Sequence, residues 1–321
     1  SQNTGNTTAF IEAQQYSQFI LQNLHDGLLP DTFTRDVSDF GTGTTLNIKT
    51  VGTATLQEVF EEQPLDYASI DTGTVQLTIT DYVGDAWSIT DVLRQDGSQI
   101  DQLLAQRGKE ATRLIQEHFE TRALQTLNDG QTAGATNAIN GFARRTIGTG
   151  GTTTNWTLDL ADLITTRLAF NKGEVPMAGR VAIVDPVVEA TMNTRFSITS
   201  GTGDLAANAV WQSITENGFA RDHNFVINLY GWNIMTSNRL PTIPTETIGA
   251  ITVTTAVANI FMCIADDHCK PLMAAWRQQP RVEGERNKDK QRDEFVETAR
   301  YGFGLQRLDT LSIVLTSATT V

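Results

Sequence analysis

The most extended regular pattern of apolar and polar positions covers residues 98–130. Apolar residues recur there every three or four positions, which is the period of a helix that buries one face. Ser98, with Asp101 three residues later, is suited to cap the first turn, and Asp129-Gly130 is suited to end the last one. The pattern predicts one helix over residues 98–129, about 45 Å long. A scaffold helix and a long core helix of an α+β domain both fit it. The apolar positions are Ile100, Leu103, Leu104, Ala111, Leu114, Ile115, Phe119, Ala123, Leu124 and Leu127.

Two segments before this helix alternate apolar with polar residues, as strands with one buried face do. Leu46 and Ile48 mark the first strand, and Val75, Leu77 and Ile79 mark the second. Their matching character predicts that the two strands pair as a hairpin with a long tip.

The tip of this predicted hairpin, residues 50–74, has five carboxylates and no lysine or arginine. It also carries scattered apolar residues, which make it too apolar for a solvated linker. Connectors of this length are uncommon in compact domains unless they are functional or disordered. We therefore expect the tip to be ordered against a partner chain. Its carboxylates are Glu58, Glu61, Glu62, Asp66 and Asp71, and its apolar residues are Leu56, Val59, Phe60, Leu65, Tyr67 and Ile70.

The remaining patterns predict an arm, a loop and a mixed α/β lobe. Residues 8–24 have a helical rhythm, whereas the Gly- and Thr-rich segment 134–151 predicts a loop. A helix over 158–170, a buried strand over 181–184 and a helix that starts at Pro186 then follow one another. The alternation continues through AANAVWQSITEN and FVINLYGWNIMTSN.

The last third of the chain returns to strand signals, beginning with ANIFMCIADD and ending in an apolar run at residues 312–315. Residues 281–297 are dense in charges of both signs. Such a run predicts either a solvated hairpin or loop, or an ionic contact between subunits.

The composition narrows the classes of function. A net charge of −13 argues against a surface that grips the DNA backbone, because such a surface needs clustered lysine and arginine. We find neither a targeting signal nor an apolar stretch of about 18 residues, so no membrane contact is expected. Cys263 and Cys269 match neither zinc-site spacing nor a disulfide framework, and we expect buried or idle thiols.

The common catalytic and phosphate-binding motifs are absent from the sequence, and no cofactor is expected. Asp266, Asp267 and His268 form the one cluster that suggests a metal site or proton transfer. A polar turn after an apolar strand explains the cluster more simply. The other histidines, His25, His118 and His223, are isolated in sequence and predict packing or surface positions.

The order of these elements resembles the major capsid proteins of tailed double-stranded DNA bacteriophages, which have the Hong Kong 97-type α+β coat fold. The stretches that carry the resemblance are TLNIKTVG and VQLTITDYVGDAWSITD around the tip, the long helix, RVAIVDPVVEATM, LYGWNIMTSNRLP and the terminal YGFGLQRLDTLSIVLTS. Each motif is degenerate, and their order and spacing over nearly the whole chain make the resemblance.

The resemblance implies a division of the chain. Residues 1–43 would be an N-terminal arm, 44–80 an extended β-hairpin loop over a neighbouring subunit, and 81–154 a peripheral domain with its spine helix at 98–129. Residues 155–267 would form the axial domain, and 268–321 would return to the peripheral strands. The long acidic tip agrees with this division, because large interfaces between chains stabilise such shells.

The resemblance also implies a structural, non-catalytic role. The chain would assemble in the cytoplasm of the host bacterium into pentamers and hexamers of an icosahedral head, and would enclose double-stranded DNA without sequence-specific binding. Scaffolding, portal and decoration proteins would be its partners, and the assembled chain would be part of the virion. Either a separate scaffolding protein is used, or a scaffolding extension was removed before Ser1. Some family members cross-link through a lysine of the extended loop, and since residues 50–74 have none, we expect no such bond.

Two alternatives stay open at this point. An encapsulin-type bacterial compartment resembles the same fold, and a soluble enzyme would have to use Asp266, Asp267 and His268. If the chain is a coat protein, the acidic tip predicts an ionic contact with a group of basic residues on a neighbouring subunit. The candidate residues for that contact are Glu58, Glu61, Glu62 and Asp66 on one chain, and Arg281, Arg286, Lys288, Lys290 and Arg292 on the other.

Overall fold

The computed structural model describes residues 28–29, 31–39, 42–62, 64, 66–67, 69–97, 100–131, 138–139, 141–151, 155–196 and 225–317. Several predictions lie outside these residues: the helix at 8–24, the apolar tip residue Leu65, the cap at Ser98, the segment AANAVWQSITEN, His25 and His223.

In chain order, the described elements are β1 (Thr34–Asp36), β2 (Thr45–Val51), β3 (Thr72–Thr90), α1 (Asp91–Asp96), α2 (Ile100–Gly130), β4 (Ala138–Ile139), β5 (Phe142–Ala143), β6 (Arg145–Ile147), α3 (Leu160–Lys172), β7 (Arg180–Val184), α4 (Pro186–Phe196), β8 (Phe225–Leu229), β9 (Trp232–Thr236), β10 (Thr242–Ile248), β11 (Ile251–Cys263), β12 (Leu272–Asn287), β13 (Arg292–Leu305) and β14 (Leu311–Thr316). Short 3₁₀ turns precede β1 and β14.

The long helix is confirmed as α2, which lies against a sheet with the strand order β1-β12-β13-β3-β2 in the described residues. Phe119 of α2 stacks on Trp276 of β12 with 4.5 Å between ring centroids, and Ile115 packs on Tyr301 of β13. Leu103 and Leu114, which we expected on the buried face, are about half exposed. The sheet therefore covers only part of the apolar surface of the helix.

The hairpin is confirmed as β2 and β3, which pair antiparallel from Thr45↔Thr78 to Val51↔Thr72. β3 is much longer than the alternating pattern indicated, because its second half pairs with β13 up to Thr90↔Arg292. At about 3.3 Å per residue, β3 spans roughly 60 Å. It therefore links the hairpin tip to the far end of the β12–β13 hairpin.

A second sheet has the strand order β6-β14-β11-β7-β9-β8 in the described residues, with β10 paired to β11. All five residues of β7 are buried, as expected for a strand covered on both faces. α3 begins at a capping box made by Asp159 and Asp162, and α4 begins at Pro186. Trp232 is fully buried between Phe170 and Phe261, with ring centroids 5.1 Å from each.

One local expectation is wrong, and two strand pairings were not predicted from the sequence. The predicted loop at 134–151 contains β4, β5 and β6, and β6 is held as a strand because it pairs in parallel with β14. β1 lies in a segment without strand periodicity and pairs in parallel with β12. β14, which the resemblance assigned to the peripheral strands, pairs with β11 in the second sheet. Pairings between distant segments decide all three, and local periodicity does not report them.

Candidate assembly interface

The ladder between β2 and β3 ends where the Gly52 amide donates to the Asp71 carbonyl at 2.8 Å. Beyond this bond, the described residues between 53 and 70 project as the hairpin tip. Farther out, the side-chain amide of Gln57 joins both main-chain groups of Asp66: its Nε2 donates to the carbonyl at 2.9 Å, and its Oε1 accepts from the amide at 3.0 Å. Glu62 adopts a left-handed conformation with φ of 65° at the turn. The described part of the tip is therefore ordered by its own contacts.

The apolar side chains of the tip face solvent. Tyr67 is 100% exposed, Leu56 is 97% exposed and Phe60 is 58% exposed, and Val59 and Ile70 are also exposed. Aromatic and aliphatic side chains gain free energy when they leave water, so an exposed cluster of this size marks an interaction surface.

The tip carboxylates are exposed as well, and among the described residues Glu58, Glu61 and Glu62 make no ion pair within the chain. Asp66 is engaged through its main chain by Gln57, which leaves its carboxylate exposed. The tip therefore offers negative charge and apolar surface to another molecule.

The candidate basic residues lie in the β12–β13 hairpin, whose turn is at the opposite end of β3. Arg281 lies farther back along β12, where it pairs with Thr298. Its turn, residues 288–291, is shaped by Asn287, whose Oδ1 accepts from the amides of Asp289 at 3.1 Å and Lys290 at 3.2 Å. The charged run therefore folds as a hairpin, and the ionic contact between subunits stays a prediction. Lys288 and Lys290 are exposed and make no ion pair with the described residues.

The arginines of this hairpin are already paired within the chain. Arg286 bonds both carboxylate oxygens of Asp91, at 2.6 and 2.8 Å, and also contacts Asp293. Arg292 pairs with Glu294 at 2.6 Å, and Arg281 pairs with Glu283 at 3.3 Å. Of the five predicted basic residues, only the two lysines therefore make no ion pair with the described residues.

These ion pairs shift the pKa of two partly exposed carboxyls. The hydrogen bonds from Arg286 lower the pKa of Asp91. Hydrogen bonds from Arg292 and then from Asn287 lower the pKa of Glu294 in the same way. Both carboxylates therefore remain charged to lower pH than free side chains. Asp91 joins α1 to the β12–β13 hairpin through Arg286, whereas Glu294 makes its contacts within that hairpin.

The structure does not bring the acidic and basic candidates together within one chain. The tip and the β12–β13 turn lie at opposite ends of β3, about 60 Å apart at ~3.3 Å per residue. A contact between the two groups therefore requires two chains.

Glu120 is a buried carboxylate that the sequence analysis did not identify, and it connects α2 to Leu29, which precedes β1. Glu120 accepts from the amide of Leu29 at 3.1 Å and from Ser237 Oγ at 3.2 Å, and its Oε1 lies 3.5 Å from Arg239. Its carboxylate lines an apolar groove of about 670 Å³ beside α2 and β12. The signal in the sequence was a glutamate three residues before Ala123, on the apolar face of the predicted helix.

A second missed residue, Arg145, joins the end of α2 to the second sheet. Its guanidinium bonds both carboxylate oxygens of Glu246 at 2.6 Å, and it also donates to Asn128 Oδ1 at 3.0 Å and to the Gln131 carbonyl at 2.9 Å. Arg145 is 5% exposed. Because a helix C-terminus leaves carbonyls unpaired, an arginine there stabilises the helix end.

The cluster at Asp266, Asp267 and His268 forms a polar turn between β11 and β12. Asp267 pairs with Lys270 at 2.7 Å, and the Asp266 carbonyl accepts from the amides of Cys269 and Lys270. In the described part of the chain, no group of three His, Cys, Asp or Glu side chains is arranged to hold a metal ion. Burial raises the pKa of the Cys263 thiol, and both cysteines are free thiols. His118 bonds the Tyr301 hydroxyl.

No helix of the described residues is both long enough and apolar enough to cross a membrane.

Comparisons with known proteins agree with the arrangement of sheets, spine helix and hairpin. The phage capsid protein family model matches residues 72–315. The capsid structure of cyanophage P-SCSP1u has a TM-score of 0.67 at 14% identity and covers 100% of this chain and 96% of that chain. The Mycobacterium phage Che8 structure has a TM-score of 0.63 at 16% identity and covers 94% of this chain and 96% of that one.

The mature capsid of bacteriophage PhiM1 has a TM-score of 0.63 at 14% identity and covers 97% of this chain and 93% of that chain. No curated protein matches the chain. The Hong Kong 97-type α+β fold expected from the resemblance is confirmed. The match to phage capsid protein favours the phage head over the encapsulin-type compartment, and it implies a structural role. The chain belongs to the phage capsid protein family and is a structural subunit of the icosahedral head in the virion.

Proposed function

We propose that this subunit forms the head through its hairpin tip, which binds an adjacent copy, and that it performs no catalysis. The exposed apolar cluster of the tip carries the proposal. In an isolated subunit the side chains of Tyr67 and Leu56 are almost fully exposed to water, whereas association with another copy can bury them. The head encloses double-stranded DNA of a tailed phage. The net charge of −13 supports loose enclosure, because it disfavours binding to the phosphate backbone.

The proposed division of labour follows the two sheets. The sheet that contains β3, β12 and β13 forms the peripheral part with α2, and the second sheet with α3 and α4 forms the axial part that meets its copies around five- and six-fold positions. The residue boundaries are those that the resemblance implies, with β6 and β14 added to the axial part because of their pairing. The arm, residues 1–43, reaches a neighbour. Scaffolding, portal and decoration proteins complete the set of partners.

The tip carboxylates Glu58, Glu61 and Glu62 contact the lysines at the β12–β13 turn of another copy. Opposite charges at the two ends of one long strand suit a head-to-tail contact, which can close into rings and shells. The three arginines contribute less, because they already have carboxylate partners, whereas the exposed carboxylate of Asp66 contributes together with the glutamates. Exposed ion pairs add only about 0–1 kcal/mol each, so this contact chiefly selects the partner and the register.

Charge reversal tests the contact. Glu61→Lys with Glu62→Lys should reduce the yield of closed shells in electron micrographs, and Lys288→Glu with Lys290→Glu in the same chain should restore it. Lys109→Glu is the matched control, since Lys109 is an exposed lysine of α2 without an ion pair to the described residues. Equal yields with and without the lysine reversals would remove the ionic contact from the proposal.

A separate experiment tests the role of the tip itself. Replacing residues 53–70 with a short turn should leave a folded subunit that forms no shells, as measured by size-exclusion chromatography and negative-stain microscopy. Normal shells from this variant would overturn the proposed interface. Mixing the unassembled subunit with duplex DNA should leave the mobility of the DNA unchanged at physiological salt, and a salt-dependent shift would contradict loose enclosure.

A further inference from the structure

Gln57 occupies an unusual place in the hairpin tip. Every other described residue from Val51 to Asp71 is exposed, whereas Gln57 is half-buried. Among the described residues of the tip, no regular ladder extends beyond the bond between Gly52 and Asp71. The side chain of Gln57 is therefore the link that joins the two arms of the tip farther out.

The two bonds of Gln57 imitate one rung of an antiparallel sheet. In such a sheet, a hydrogen-bonded pair of residues exchanges one N–H donor and one carbonyl acceptor in each direction. The amide group of Gln57 offers the same donor and acceptor to Asp66, at 2.9 and 3.0 Å. The tip thus gains a rung where the main chains of the described residues in its two arms are not paired.

This rung closes the segment 57–66, which contains Val59, Phe60 and the turn at Glu62. The two most exposed apolar side chains, Leu56 and Tyr67, are the neighbours of Gln57 and Asp66 in sequence. The same rung therefore fixes the main chain that carries all four apolar side chains.

Order in the free tip matters because binding a flexible loop costs conformational entropy. A loop that already has its bound shape loses less freedom, so more of the free energy of apolar burial appears as affinity. The carboxylates of the tip depend less on this shape, since interactions between exposed charges weaken only gradually with distance.

We propose that Gln57 is a positioning residue for assembly: its side-chain amide clamps the free tip so that Leu56, Phe60 and Tyr67 form a ready apolar anchor for a second copy of this chain. The inference rests on the proposed function of the tip as an interface. It adds that the apolar side chains of the tip supply the affinity for the second copy, and that the side-chain amide of Gln57 fixes the shape of the tip.

The test uses Gln57→Met, which keeps the length of the side chain and removes both hydrogen bonds. Gln76→Met is the matched control, because Gln76 is an exposed glutamine of β3 outside the tip. In the unassembled full-length subunit, hydrogen exchange should show a protected Asp66 amide in the wild type and in Gln76→Met, and an unprotected one in Gln57→Met. Loss of a bond pair of this kind should raise the protein concentration needed for shell assembly about two- to tenfold.

A double-mutant cycle separates positioning from a general structural role. If Gln57 acts through the apolar anchor, Gln57→Met should raise the assembly concentration much less in a Phe60→Ser background than in the wild type. An equal effect in both backgrounds would overturn the proposal, and so would an unprotected Asp66 amide in the wild-type subunit or unchanged assembly of Gln57→Met. These results leave the tip as an interface, whereas normal shells after replacement of residues 53–70 reject the interface itself.

Discussion

The second sheet and the hairpin tip use the same kinds of side chain in opposite ways. Trp232 and Phe261 are fully buried in the second sheet, while Tyr67 is fully exposed and Phe60 more than half exposed in the tip. The first pair gains its free energy when the chain folds. The second pair can gain it only when chains associate. A shell subunit therefore divides its apolar surface between two steps, and a substitution should affect the step that buries the residue.

The largest effect on folding should come from Trp232→Ala. Trp232 packs between two aromatic rings, and its indole nitrogen donates to the Leu163 carbonyl at 3.3 Å. Truncation should lower the free energy of unfolding by about 3–5 kcal/mol. Urea unfolding of the unassembled subunit measures this, with Trp232→Phe as the milder control. A loss below about 1 kcal/mol would show that the second sheet does not hold the subunit together.

A smaller loss is expected for Arg145→Met. The substitution leaves the Glu246 carboxylate and the carbonyl of Gln131 without their shared donor. Because Glu246 is partly exposed and retains some water, we expect a loss of about 2–4 kcal/mol in the free energy of unfolding. Adding Glu246→Gln should recover part of that loss in the same urea measurement. No recovery would mean that the unpaired charge is not the cause.

Phe60→Ser should have the opposite effect: it should weaken assembly and leave folding intact. Since Phe60 makes its apolar contacts only after association, the free energy of unfolding should stay within about 0.5 kcal/mol of wild type. Loss of about 1.5–3 kcal/mol per contact should raise the assembly concentration about tenfold or more. Light scattering during assembly measures the change, with Thr55→Ser as a control in the same tip. A marked loss of subunit stability would place Phe60 in the fold and not in the interface.

The smallest effect should appear at the other end of β3. Because the pKa of Asp91 is lower in the folded chain, its pair with Arg286 stabilises the chain fully above the unfolded-state value of about 4 and is lost as pH falls through the lower folded-state value. Amide exchange of α1 should rise below that pH and with added salt. Arg286→Met should abolish this pH dependence, and an unchanged titration of Asp91 in the variant would refute the pairing.

Most elements of the fold could be predicted from the sequence alone. Periodicity identified α2, α3, β7 and the β2–β3 hairpin, since a buried face imposes a local period of 3.6 or 2 residues. The sequence also predicted that the tip is an interface, because this long acidic segment carries too many apolar residues for a solvated linker. The order of these elements was enough to suggest the family.

The tertiary structure decided what depends on contacts between distant residues. The strands β1 and β6, and the position of β14 in the second sheet, follow from pairing partners far away in the chain. Glu120 and Arg145 become junctions only when Leu29 and Glu246 are brought to them. In the same way, only the folded structure showed that the arginines of the β12–β13 hairpin have carboxylate partners, whereas Lys288 and Lys290 have none among the described residues. Local sequence reports the backbone period and the side-chain type, whereas the pairing of a charge depends on which distant group folding brings within a few ångströms.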